Sequence, residues 1–362
     1  MNDILGTNIR LARQFHGLSL MDLGERIGKS KQFLSRVETG AEPVSNALEI
    51  ALVEELGILP EFLRQIDPMP LTEEQCHFRK QLTTKVALRQ YAKARGEMLR
   101  RLVMIMDGYL DLPEYDLVET DPISDEAIER GAEMCRSRWG LGWGPIANMT
   151  RVAENAGAVV LRVNGMAPEI DAISFATQRP VIALNKNGRS ACRARFGIAH
   201  ELGHFALHIG VLTGDRFTEG QANRFASAFL LPRSSFLVEC QRALRKSRLS
   251  WEGLSELKIR WGVSKAAILY RGRQLGVFSE EQLRSGYIGL KRHGEAIEEH
   301  EDKKMVIETP EVVSEGLRVL TEQLDVPVAA VARQMFVQQR VLDDLLGLSP
   351  IESNSNVVNL FA

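Results

Sequence analysis

The residues best equipped for chemistry are His200-Glu201-Leu202-Gly203-His204. Side chains four apart on a helix share a face, so His200 and His204 can present two imidazoles to one tetrahedral Zn2+ ion. Glu201 sits beside them, placed to take a proton from a water whose pKa the metal lowers to about 7. This spacing suits metal-assisted hydrolysis of a peptide bond. With 7 His and 47 Asp plus Glu in 362 residues, fewer than about 0.02 such matches are expected by chance. Two imidazoles make half a site, and His208 cannot complete it. It lies about 12 Å along the axis from His200, at about 1.5 Å per residue. The metzincin spacing also fails, because Leu207 and Gly210 stand where a Gly and a third His are needed. The remaining donors are carboxylates ahead of the next apolar helix, Glu219 first and Asp215 second.

These side chains need a helix to carry them and a partner to bury it. Residues 195–207 read as a continuous, mostly apolar helix. Gly203 costs about 1 kcal/mol there against Ala, which marks a close backbone approach. Upstream, Ser124 is placed to cap a helix over 125–139, and another helix is expected over 145–156. The period then changes, with short strands expected at 158–163, 171–176 and 180–184. Helices resume from about Cys192 to Val277. Cys192 and Cys240 read as buried small apolar residues, and Arg193 and Arg195 as partners of nearby carboxylates. Residues 72–110 follow a helical pattern ending at Leu112-Pro113, with a packed face and a solvated basic face. Residues 292–304 are dense in charge and read as a solvated linker. The tail after Pro350 looks loose.

Lys and Arg total 45 against 47 Asp and Glu, a net charge of −2. A surface basic enough to hold nucleic acid throughout is thereby excluded, so any such contact must be local. The hydrophobic fraction of 44% and charged fraction of 25% are those of a globular chain and exclude wholesale disorder. No apolar run is long enough to span a bilayer, the start of the chain lacks the pattern of a signal peptide, and the four Cys are widely spaced. A soluble, cytoplasmic protein is expected, with no membrane partner.

Ser19 to Leu23, then Gly28, Ser30, Leu34-Ser35-Arg36-Val37-Glu38 and Gly40, with Leu48 and Leu56 behind, resemble an Xre-type helix-turn-helix over residues 4–66. The resemblance implies a first helix over 19–27 and a recognition helix over 30–39. Lys31, Gln32, Phe33, Ser35 and Arg36 would then face the DNA major groove. Residues 1–67 hold seven Lys and Arg against ten Asp and Glu, but the window 26–36 carries four cations and no acid. The sequence departs from such domains at Leu20, where they carry Gln, and the same fold could dock a protein or form a dimer. Residues 324–346 have a similar helical spacing, suited to packing, to a homodimer contact or to a second DNA reader.

A second resemblance covers about residues 125–295. Pro180-Val181-Ile182, Leu184-Asn185, Arg193-Ala194-Arg195-Phe196, the His200 to His204 motif with His208, Glu219, Ala222-Asn223, Phe225-Ala226 and Leu230-Leu231-Pro232 are similar to the ImmA/IrrE family of metallopeptidases. It implies Zn2+ on His200, His204 and Glu219, Glu201 as catalytic base, and cleavage of a repressor. The expected architecture is α+β, predominantly α. An all-α helix-turn-helix domain (1–67) and a helical linker region (68–124) precede a zincin-like domain with a small sheet (125–295). A charged linker and helical C-terminal module (296–362) follow. The expected function is a site-specific zinc endopeptidase coupled to a DNA-binding domain. It would cleave a repressor, itself of Xre type, to derepress stress or mobile-element genes. The alternative is a non-proteolytic regulator whose zincin-like domain senses a small molecule such as an acyl-CoA.

Overall fold

The computed structural model describes residues 3–72, 75–78, 86–163, 172–176, 179–186 and 190–348. The chain divides into two compact units, residues 1–68 with 320–362 and residues 69–319.

The first unit begins with helices α1 (Gly6–Phe15), α2 (Leu20–Ile27), α3 (Lys31–Glu38) and α4 (Asn46–Leu56). Local side chains set their ends. The Ser19 hydroxyl accepts from the Asp22 amide at 3.1 Å, and the Asp22 carboxylate accepts from the Ser19 amide at 2.7 Å, a capping box that starts α2. Gly28 ends it in the left-handed region at φ 65°, and Ser30 caps α3 through the Phe33 amide. Leu23, Leu34, Val37, Leu48, Leu52 and Leu56 are buried between the helices. Arg13 donates to both carboxylate oxygens of buried Glu38, at 2.6 and 2.9 Å.

In the second unit, β1 (Cys76–Phe78) precedes α5 (Val86–Tyr109), α6 (Asp125–Arg138) and α7 (Met149–Asn155). Then come β2 (Val159–Val163), β3 (Ala172–Phe175) and β4 (Val181–Asn185), followed by α8 (Ala191–Leu207), α9 (Arg216–Leu230) and α10 (Arg233–Glu239). A two-stranded ribbon of β5 (Leu244–Arg245) and β6 (Arg248–Leu249) leads into α11 (Trp251–Trp261), α12 (Lys265–Gln274) and α13 (Glu280–Arg292). The larger sheet has the order β1-β3-β4-β2. β2 and β4 are parallel, with Val159 opposite Val181. β3 runs antiparallel to β4 and to β1, with His77 opposite Ser174. α8 lies against β3, β4 and α9, and Ile198, Leu202, Phe205, Phe225 and Phe229 fill the core around it.

Several expectations change here. Within the span 72–110, the described helix covers Val86–Tyr109; Cys76–Phe78 form a sheet edge instead, and residues 79–85 lie outside the described residues. The long-range ladder to β3 overrides the local helical pattern, as β pairing often does. The basic face of α5 is not wholly solvated either, since Arg95 and Arg100 are buried. Arg100 and Arg101 pair with buried Glu97 at 2.6 and 3.1 Å, and Glu97 also accepts from the Leu71 amide. The helix expected over 145–156 starts at Met149, with Asn148 as its cap.

The charged stretch 292–304 is not a free linker. Buried Lys258 pairs with Glu299 at 2.6 Å and with Asp302, while buried Lys265 pairs with Glu295 and Glu301 at 2.8 and 2.9 Å. Charges held inside a fold need partners of this kind, so the stretch docks on α11 and α12. α14 (Val312–Gln323) follows, and α15 (Val328–Gln334) and α16 (Gln339–Leu346) belong with α1 to α4. The Leu59 amide donates to the Phe336 carbonyl at 2.8 Å, and the Gln338 amide to the Gly57 carbonyl at 2.7 Å. The segment expected as one C-terminal module, 296–362, is thus shared between the two units. The tail from residue 349 lies outside the described residues.

Candidate metal centre

α8 carries His200, Glu201 and His204 into the interior, all three buried. Close contact with α9 makes this possible at Gly203, where a Cβ would lie 3.1 Å from Phe225 Cβ and 3.2 Å from the Ala222 carbonyl oxygen. Opposite the two imidazoles, the first turn of α9 supplies Glu219. The His200 and His204 Nε2 atoms are 3.0 Å apart. Glu219 Oε2 lies 3.4 Å from the first, and Oε1 lies 3.2 Å from the second. Donors about 2.0–2.1 Å from a tetrahedral ion are separated by about 3.3 Å, so these residues fit a metal ion. They form the one cluster of His, Cys, Asp and Glu among the described residues able to hold one. Asp215, the other carboxylate considered, is occupied as the cap of α9, accepting from the Phe217 and Thr218 amides at 2.6 and 3.0 Å.

Burial raises the Glu219 carboxyl pKa, but the two imidazoles more than offset this and hold it well below the usual carboxylate range. Burial pushes His204 down. It also pushes His208 down to about 4, so both rings are neutral near pH 7. An anionic carboxylate and neutral imidazoles are the protonation states a metal requires.

A surrounding layer of polar groups orients the cluster. Asn223 Oδ1 lies 3.0 Å from His200 Nδ1 and, as an amide oxygen, can only accept from it. His204 Nδ1 meets His208 Nδ1 at 3.0 Å. The Ser174 hydroxyl donates to Glu201 Oε2 at 2.5 Å. His77 stacks flat on His204, with centroids 4.8 Å apart and planes 4° apart, and its Nδ1 lies 2.6 Å from Thr213 Oγ1. Burial and the neighbouring imidazoles of His204 and His208 push His77 down to about 2. A cavity of about 470 Å³ adjoins His204, lined by His77, Val103, Met104, Phe205 and His208 among others.

Sequence reasoning singled out the His, Glu201 and Glu219 but not His77, Ser174 or Gln221. His77 was hidden within a span read as helix. Only the pairing of β1 with β3 places it and Ser174 opposite each other. Arg195 pairs with Glu308. Cys192 and Cys240 are buried, and burial pushes their thiols up to about 11 and 12, which leaves them poor nucleophiles. In the first unit, Lys31, Gln32, Ser35 and Arg36 of α3 are exposed, whereas Phe33 is half-buried beneath Lys29. Arg36 pairs with Glu42 at 3.3 Å. No described helix is long and apolar enough to cross a membrane.

Residues 153–272 match the family Peptidase_M78, described as an IrrE N-terminal-like domain. An IrrE-type peptidase domain is therefore present, and it contains the whole His200, His204 and Glu219 cluster. No curated protein matches the chain.

Proposed function

We propose that the second unit is a zinc-dependent endopeptidase, with Zn2+ held by His200, His204 and Glu219 and with Glu201 as general base. The convergence of His200, His204 and Glu219 at 3.0–3.4 Å inside a matched peptidase domain carries this reading. When bound, Zn2+ polarises the scissile carbonyl and lowers the pKa of water to about 7. Glu201 takes the proton of the attacking water as oxygen bonds to the carbonyl carbon. It then returns a proton to the departing amine as the C–N bond breaks. Ser174 holds one Glu201 oxygen, fixing the carboxylate for both transfers.

The substrate in this reading is a repressor protein, itself of Xre type, whose loss derepresses stress or mobile-element genes. The first unit supplies a DNA contact. The exposed Lys31, Gln32, Ser35 and Arg36 suit a recognition-helix face, with half-buried Phe33 among them. Homodimerisation belongs to the same proposal. The cavity beside His204 favours one rival, a regulator that binds a small molecule there and cleaves nothing. Comparing new protein N-termini in cells expressing wild type or Glu201→Gln separates them. Wild-type-specific termini within a repressor support the peptidase. An identical set from both folded, zinc-loaded proteins refutes it and leaves the ligand-binding reading.

A further inference from the structure

We propose that His208 is a positioning residue that locks the tautomer of His204, through a relay anchored on the Pro122 carbonyl. The inference rests on the metal-site reading above. A backbone carbonyl can only accept, so the amide nitrogen of Gln221 must face Pro122 O, 3.0 Å away. That orientation turns Gln221 Oε1 toward His208 Nε2 at 2.9 Å. The amide oxygen can only accept as well, so His208 carries its proton on Nε2. A neutral imidazole has a single N–H, which leaves a lone pair on His208 Nδ1, 3.0 Å from His204 Nδ1. The proton between these two nitrogens must therefore belong to His204. Its Nε2, which faces His200 Nε2 and Glu219, is then the atom left for a metal.

Each link has one direction, and the first cannot be reversed because a carbonyl has no proton to give. His204, His208 and Gln221 are all buried. Stacked His77 fixes the plane of the His204 ring, while His208 fixes its proton. This explains the presence of a third histidine on the same helix face that is too far along to be a ligand. Partners that donate to or accept from a ligating imidazole typically contribute about 10- to 100-fold to metal affinity.

The test compares zinc affinity, by chelator competition, and the imidazole proton and nitrogen spectrum of the zinc-loaded full-length chain. His208→Leu fills the volume without an acceptor, whereas His208→Asn keeps an acceptor oxygen near the position of Nδ1. The expected result is a Kd about 10- to 100-fold weaker in the Leu variant and wild-type affinity in the Asn variant. The His204 Nδ1 proton should be hydrogen-bonded, and protected from exchange, in wild type and in the Asn variant, and lose that signature in the Leu variant. Gln221→Leu touches no zinc ligand and should weaken binding in the same direction; it decides the matter should His208→Leu fail to fold. Unchanged affinity with an unchanged His204 Nδ1 proton signal in the folded variant overturns the lock. Wild-type protein that takes up no zinc overturns instead the metal reading beneath it.

Discussion

Ser174 and Glu201 form a pair whose contribution to catalysis can be isolated. Glu201→Gln keeps an amide oxygen to accept from the Ser174 hydroxyl, 2.5 Å away in wild type, so geometry and zinc content should persist while the proton acceptor is lost. General-base catalysis contributes about 10²- to 10⁴-fold, which at about 1.36 kcal/mol per decade is about 2.7–5.4 kcal/mol of barrier. Ser174→Ala removes one hydrogen bond to a buried charged group, about 1.5–3 kcal/mol, or about 10- to 160-fold in rate where it is expressed in the transition state. Serine acts only through the glutamate in this arrangement. Adding Ser174→Ala to Glu201→Gln should therefore cost far less than it does alone, a strongly sub-additive cycle. The assay is cleavage of the repressor identified from its new N-terminus, with bound zinc measured in all four proteins. Additive losses at full zinc content would refute the positioning of Glu201 by Ser174.

Metal removal should lower the melting temperature of wild type but not of His204→Ala. Zinc at 100 times its Kd contributes about 2.7 kcal/mol, and equal melting of wild type with zinc and with chelator would contradict this. Gly203→Ala gains about 1 kcal/mol of helix propensity, but its Cβ would press on Phe225 and the Ala222 carbonyl at 3.1 and 3.2 Å, and overpacking costs about 1–3 kcal/mol. A net loss in urea midpoint is expected, and a gain would show that α8 and α9 separate freely. Burial raises the Glu301 carboxyl pKa, yet Ser255 and Lys265 more than offset this and bring it from 4.5 down to about 2. A depressed carboxylate stabilises the fold above its unfolded value and loses that contribution as pH falls through the folded one. Stability should thus fall between pH 4.5 and about 2, and Glu301→Gln should flatten that slope in acid titrations of the melt.

Local chemistry was legible along the chain. Local pattern alone put His200, Glu201 and His204 on one helix turn, Ser124 at a helix start, and Gly203 at a close approach. All of these depend on atoms within about one turn of each other. The strands at 159–163, 172–175 and 181–185 were visible as β-branched and apolar runs. What the sequence could not determine alone were contacts between residues far apart. His77 joins the site only because Cys76–Phe78 pairs with β3, about a hundred residues on. The charges of 292–304 looked suited to water, yet Lys258 and Lys265 are buried against them, and no local pattern shows that a distant partner offsets the cost of burial. Likewise the bridge between Ile58 and Val337 unites chain segments nearly 280 residues apart. Periodicity determined what each helix could present. Long-range pairing and desolvation, which act only in the folded chain, decided what each one met.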